Sequence, residues 1–155
     1  MAPQLLFDIS GIDFDRVEMD AHAIERVNPH RGNMRLLDGV FHVTDDVAVA
    51  YHDVRDDAFW VAGHIPGRPI MPGVLMIEVA AQLVSLCSLR RLKDANFLGF
   101  SGADDVKFRG QVEPGQRLIV LASVSNFRPR RCICKTQGLV DGTLVYEGTI
   151  TGMPL

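Results

Sequence analysis

The sequence predicts an α+β fold in which an antiparallel β-sheet wraps around one long, buried α-helix. Residues 74–89 form the longest apolar run in the chain, and Glu78, Gln82 and Ser85 interrupt it. A helix that is apolar on nearly every face lies inside a protein. Four strand-like segments separated by turn residues follow this run, and consecutive strands after one buried helix are typical of a sheet that covers it. A chain of 155 residues predicts one domain, 1–155, with a substantial core.

The elements before the helix are an N-terminal extension and two strands. Residues 1–28 predict a helical extension, because apolar residues recur every three or four positions at Phe14, Val17, Ala21, Ile24 and Val27. Turn residues fill positions 28–34. Residues 34–54 then predict two strands, with a turn near Thr44 to Asp46.

The helix and the strands after it follow from the same patterns. The helix is expected from about Gly73 to Leu92, and the cations Arg90, Arg91 and Lys93 suit the negative end of its dipole. Strands are predicted at about residues 97–109, 116–127, 130–140 and 143–152. The dipeptide Asp141-Gly142 predicts a tight hairpin between the last two strands.

Charge and cysteine content exclude several classes of protein. The net charge of −3 argues against a nucleic-acid binder. The chain has an odd count of three cysteines, and its N-terminus lacks the features of a signal peptide. Together these observations predict a reducing compartment and a cytoplasmic location. The apolar run is too short and too polar to predict a transmembrane helix.

Glu78 is the first candidate functional residue, because it is a carboxylate inside the apolar helix. A carboxyl group that loses hydration must be paired, hydrogen-bonded or neutral, and its neutral form can serve as an acid near neutral pH. Gln82 lies four residues further along the same helix face and could bond to it. The alternative is a structural glutamate paired with an arginine from elsewhere in the chain.

His64 is the second candidate, since imidazole titrates near neutral pH and can act as a general base. Pro66, Pro69 and Pro72 stiffen the loop between His64 and the helix. Gly73 then begins the helix, where free N–H groups can bind an oxyanion. Together these groups suit removal of a proton next to a carbonyl and expulsion of a neighbouring hydroxyl as water. The alternative is a structural histidine with its hydrogen bonds satisfied in the core or in a turn.

The remaining histidines suggest no further site. His22, His30, His42 and His52 lie in segments without such a setting, and none has metal-ligand spacing to cysteine or carboxylate. The sequence also lacks a nucleophile elbow and a phosphate-binding glycine loop.

The stretch "GHIPGRPIMPGVLMIEVAAQ", residues 63–82, resembles the signature of the FabZ-type β-hydroxyacyl-(acyl carrier protein) dehydratases, which have the hotdog fold. "NPHRGNMRLLDGV" and "VKFRGQVEPGQRL" are similar to two further family segments, in the family's order. The resemblance implies that His64 and Glu78 are catalytic, that the Gly73 N–H binds the thioester carbonyl and that Gln82 supports Glu78. Glu at position 78 and Val74, where FabA has a cysteine, favour the FabZ type over the isomerising FabA type.

The resemblance also implies the substrate and the assembly. The substrate would be a (3R)-hydroxyacyl chain on the phosphopantetheine arm of acyl carrier protein, dehydrated in fatty acid biosynthesis without a metal or redox cofactor. Phe97 and Phe100 would lie at the gating loop of the acyl tunnel. His64 would meet Glu78 of another subunit in a homodimer or a trimer of dimers. Departures from the family pattern include Gly39 in place of an arginine and Ile65 in place of a phenylalanine.

Other functions remain open on this fold, because a fold alone does not give the chemistry. One alternative is a hotdog acyl-thioesterase. The other is a dehydratase-like protein that binds acyl carrier protein in a specialised lipid or polyketide pathway. Acyl carrier protein is acidic, and the basic cluster Arg128, Arg130 and Arg131 is the predicted contact, with Lys107 and Arg109 as further cations. The alternative for that cluster is an ordinary solvated strand edge.

Overall fold

The computed structural model describes residues 4–155 and contains two α-helices and six β-strands. The elements in chain order are α1 Ala21–Glu25, β1 Gly39–Val43, β2 Val47–Asp53, α2 Gly73–Leu89, β3 Leu98–Phe108, β4 Arg117–Arg128, β5 Arg131–Val140 and β6 Thr143–Pro154. A short 3₁₀ turn at Gly32–Met34 precedes β1. Within residues 4–155, no helix is long and apolar enough to cross a membrane.

The six strands form one sheet in the order β1-β2-β4-β5-β6-β3, and every neighbouring pair is antiparallel. The predicted hairpin between β5 and β6 is confirmed: Asp141 and Gly142 have φ angles of 49° and 76°, the left-handed values that a two-residue turn requires. The strands β1 and β3 form the two edges of the sheet. The edge at β3 becomes important for the site.

Helix α2 packs against one face of the sheet and contacts β2 to β6. Alternate residues of β4 (Leu118, Val120 and Ala122) join the core on the helix side, because successive side chains of a strand point to opposite faces. The helix is buried along most of its length, as its apolar sequence predicts. The predicted α+β fold, with the helix covered by the antiparallel sheet, is therefore confirmed.

The opposite face of the sheet is covered by the N-terminal segment. Leu5, Phe7, Ile9 and Ile12 pack on a second apolar cluster formed by Phe41, Val49, Leu121 and Leu139. The prediction of an amphipathic helix in this extension is wrong, except at Ala21–Glu25, where a short helix forms. Residues 1–3 of the predicted extension lie outside the described residues. Aspartate side chains explain the difference. Asp13 bonds the N–H of Asp15 at 2.9 Å, and Asp20 caps the helix at the N–H of Ala23, so the helix begins there.

Helix α2 ends at Leu89, three residues earlier than predicted, so the cations after it lie beyond the last turn. Arg91 donates a hydrogen bond to the Asp45 carbonyl at 3.0 Å, and its guanidinium lies 3.6 Å from the centre of the Phe127 ring. These contacts hold the end of the helix close to the tip of the β4–β5 hairpin.

Candidate active site

The loop that carries His64 folds back on itself before α2 begins. The N–H of Ile70 donates to the His64 carbonyl at 3.0 Å, and Ile65 and Arg68 exchange two backbone hydrogen bonds. The Nδ1 atom of His64 lies 2.7 Å from the Ile70 carbonyl oxygen. A carbonyl only accepts, so Nδ1 carries the proton and Nε2 keeps a free lone pair in the neutral ring. The backbone thus fixes the tautomer in which Nε2 can accept a proton.

Gly73 is the first residue of α2, directly after the loop. The N–H groups of a helix's first turn have no partner inside the helix, and Pro72 supplies no side-chain cap. A Cβ atom at position 73 would lie 2.9 Å from the ring of Phe108, so only glycine fits here without displacing that ring. This helix start is a suitable place to stabilise a developing negative charge.

Glu78 is held by Gln82, as the helix spacing predicts. Gln82 is 1% exposed, and its Nε2 donates to Oε1 of Glu78 at 2.9 Å and to the Met34 carbonyl at 2.7 Å. Its Oε1 accepts from the N–H of Leu36 at 2.9 Å. Glu78 is less buried than the sequence indicates, with 26% of its side chain exposed, and no arginine among the described residues pairs with it.

Replacing Gln82 with leucine is expected to lower the free energy of unfolding by about 2–4 kcal/mol. The change leaves the Leu36 N–H and the Met34 carbonyl without their buried partner, and each such group costs about 1–3 kcal/mol. Denaturant unfolding at one fixed protein concentration measures the loss. The exposed Gln111→Leu is the matched control, expected to change stability by less than about 0.5 kcal/mol. Equal losses in the two variants would contradict the assigned role.

A cavity of about 190 Å³ opens beside Glu78, between α2 and the strands β3 and β6. It is lined by His30, Glu78, Ala81, Ser85, Phe97, Leu98, Phe100, Ile150, Thr151 and Gly152. Glu78, Ala81 and Ser85 share one face of the helix, so the cavity follows the helix axis for about two turns. A largely apolar wall with a carboxylate on it suits an acyl chain whose reacting carbon lies near Glu78.

Two cavity residues were missed from the sequence. The segment around His30 predicts no site, yet its Nε2 lies 3.5 Å from Oε1 of Glu78. Its place in the Pro-His-Arg segment was the available signal. In the sequence Ser85 is an interruption of the apolar run, yet its Oγ is buried and has no hydrogen-bond partner in the described structure.

The structure brings some predicted site residues together and separates others. Phe97 and Phe100 lie at the cavity with Glu78, whereas His64 is absent from its lining among residues 4–155. Val74 is 67% exposed beside Gly73. The exposed residues Arg128, Arg130 and Arg131 lie at the β4–β5 hairpin, near the C-terminal end of α2 and about 25 Å along the helix from Gly73.

The chain is similar in sequence to a known family over most of its length. A family model described as FabA-like domain matches residues 28–149. A relative named 3-hydroxyacyl-[acyl-carrier-protein] dehydratase FabZ, from Streptococcus pyogenes serotype M3, is 37% identical over 134 residues. That match covers 86% of this chain and 96% of the relative. Relatives of the same name in other Streptococcus pyogenes serotypes match equally well.

Solved structures similar to this fold are more distant in sequence. A chain of the dehydratase heterocomplex ApeI:P from Xenorhabdus doucetiae superposes with a TM-score of 0.74 at 20% identity, covering 85% of this chain and 90% of that one. The virulence protein Cj0977 from Campylobacter jejuni gives a TM-score of 0.67 at 15% identity, covering 89% and 94%. At these identities the likeness shows the fold alone.

Proposed function

The chain belongs to the FabA-like family, and from this membership we infer that it is a 3-hydroxyacyl-[acyl-carrier-protein] dehydratase. It is a hydro-lyase that removes water from 3-hydroxyacyl chains on acyl carrier protein in fatty acid biosynthesis. The match to the FabZ relative extends over nearly its whole length. One structural observation supports the chemistry most directly: the Ile70 carbonyl fixes Nδ1 of His64, so that Nε2 is available as a base.

The proposed mechanism is a pair of proton transfers. Nε2 of His64 takes the proton from C2 while the Gly73 N–H stabilises the negative charge that develops on the thioester oxygen. Glu78 gives a proton, directly or through a water, to the departing C3 hydroxyl. Water leaves, the C2–C3 double bond forms, and the product is the trans-2-enoyl thioester. The two proton transfers balance, so the proposed steps involve no cofactor.

We propose that the site is completed across a homodimer that pairs two β3 edges. One end of β3, at Leu98 and Phe100, lines the Glu78 cavity, and its other end, at Phe108, packs against Gly73. Antiparallel two-fold pairing places the Phe108 end of one strand beside the Phe100 end of the other. The His64 loop of each chain then approaches the Glu78 cavity of its partner.

Exposure of the β3 edge supports this pairing. Phe100 and Phe108 are 50% and 49% exposed, and large apolar side chains on an open edge strand favour association. A trimer of such dimers is compatible with the same contact. Analytical ultracentrifugation of the purified protein measures the assembly.

An assay of product chemistry tests the function. The purified protein is expected to convert a 3-hydroxybutyryl thioester to an enoyl thioester, followed by absorbance, without release of free thiol. Release of thiol without enoyl absorbance would identify a thioesterase instead, and neither signal would indicate a non-catalytic acyl-carrier-binding protein. A series of 3-hydroxyacyl thioesters of increasing length then defines the preferred acyl chain.

Acidic acyl carrier protein is proposed to dock on Arg128, Arg130 and Arg131. Replacing all three with glutamate is expected to lower kcat/KM for the carrier-bound substrate about 10-fold or more, through slower association. Turnover of a short N-acetylcysteamine thioester should stay unchanged. The matched variant is the double replacement by glutamate of Lys107 and Arg109, the neighbours in sequence of Phe108, whose ring packs against Gly73. A carrier-specific loss in that variant alone would move the docking surface to the helix start.

A cytoplasmic location is also proposed, from the state of the cysteines. Cys87, Cys132 and Cys134 are free and buried. Burial raises the pKa of the Cys87 and Cys134 thiols to about 12, so neither forms a reactive thiolate at neutral pH. Buried unpaired thiols are common in proteins of reducing compartments.

A further inference from the structure

Two side chains converge on one oxygen of Glu78. Gln82 donates to Oε1 at 2.9 Å, and Nε2 of His30 lies 3.5 Å from the same atom. Oε2 has no hydrogen-bond partner among the described residues. The two carboxylate oxygens of Glu78 are therefore not equivalent, since the protein contacts Oε1 and leaves Oε2 without a hydrogen bond from the described residues.

The surroundings of His30 favour its neutral form with a proton on Nε2. Its Nδ1 is buried without a partner in the described structure, whereas Nε2 points to a carboxylate, which only accepts. Burial lowers the pKa of His30; Glu78 on α2 opposes this shift and Arg31 adds to it. The remaining cavity wall, from β3 and β6, contributes Leu98, Phe100, Ile150, Thr151 and Gly152, none of which titrates.

We propose that His30 is a positioning residue for the dehydration, holding Glu78 through Oε1 so that Oε2 meets the C3 hydroxyl. This inference rests on the proposed function. The 3.5 Å contact is long for a hydrogen bond, and such contacts commonly shorten when substrate binds. Protonation of His30 in acid would turn the contact into an ion pair. That pair would hold Glu78 as a carboxylate and weaken it as a proton donor.

Two substitutions of equal length separate positioning from packing. His30→Gln keeps an N–H donor without a titrating ring, and His30→Met keeps the length but has no donor. His30→Met is expected to lower kcat about 10- to 100-fold, as loss of an orienting partner commonly does, with KM within about 3-fold. His30→Gln should stay within about 3-fold of wild type at neutral pH. Its kcat should also fall less steeply below pH 6 than that of the wild type.

The outcomes distinguish this inference from the proposed function. If wild-type protein dehydrates the thioester but both variants keep its kcat and its pH profile per folded molecule, His30 is structural and the inference is overturned. The inference is also overturned if His30→Gln and His30→Met lower kcat equally. If the wild type shows no dehydration at all, the proposed function itself has failed.

A measurement independent of turnover is the titration of the His30 ring nitrogens, followed by ¹⁵N NMR. Because Glu78 raises the pKa of His30, Glu78→Gln should lower that pKa further and leave Nε2 protonated in the neutral ring. An unchanged titration of His30 in Glu78→Gln would overturn the contact on which the inference rests.

Discussion

Replacing His64 with alanine is expected to lower kcat for dehydration by about 10²- to 10⁴-fold, the usual contribution of a general base. The reason is that Nε2, left free by the bond from Nδ1 to the Ile70 carbonyl, takes the C2 proton in the proposed mechanism. Glu78→Gln should produce a loss of similar size, because glutamine occupies the same space but cannot give the C3 hydroxyl a proton. Steady-state kinetics on a 3-hydroxybutyryl thioester measure both effects.

His42→Ala is the matched control for these two variants, since His42 is more exposed, pairs with Glu18 and lies on β1, outside the lining of the Glu78 cavity. Its kcat should equal that of the wild type. The proposed mechanism is wrong if His64→Ala and Glu78→Gln both retain wild-type rates.

Mixing the two inactive variants is expected to restore activity. If His64 of one chain serves Glu78 of the other, a dimer of one His64→Ala chain and one Glu78→Gln chain contains one intact site and one doubly impaired site. Random exchange makes half of all dimers mixed, so the recovered rate should approach about one quarter of the wild type. The measurement is kcat per chain after joint refolding, or after co-expression with two different purification tags.

A double variant with both changes in one chain provides the control. Mixing it with wild-type chains leaves no intact site in the mixed dimer, which should then contribute no activity. Absence of recovery in the first experiment, with mixed dimers demonstrated by the tags, would place both catalytic groups in a single chain.

The sequence predicted the larger elements well because their patterns are local. The apolar run at 74–89, strand alternation and the Asp141-Gly142 turn each depend on neighbouring residues alone, and the structure confirms them. The prediction of an N-terminal helix was wrong for a reason that sequence periodicity does not reveal. Leu5 to Ile12 gain more by covering the outer face of the sheet, a partner assembled from strands far along the chain.

The site was predictable only in part, for the same reason. The contact from Gln82 to Glu78 follows from helix spacing, so it could be read from the sequence. His30 reaches Glu78 from 48 residues earlier, through a turn segment without periodicity, so no helix or strand pattern predicts that approach and only the Pro-His-Arg segment offers a signal. The cavity beside Glu78 is not lined by His64 of the same chain, and no sequence pattern predicts this separation.

The hydrogen bonds of Gln82 have an evolutionary consequence. Its side chain bonds Met34 and Leu36, and its carbonyl accepts from Asn28 at 2.8 Å, so the segment at 28–36 and the middle of α2 are tied together. Substitutions on these two elements should therefore show strong epistasis, each tolerated only with a compensating change in the other. On the opposite wall, the side chains of Phe97 and Phe100 make no hydrogen bonds to Glu78 or Gln82. Selection for a different acyl chain should find its accessible mutations there, where Glu78 is left undisturbed.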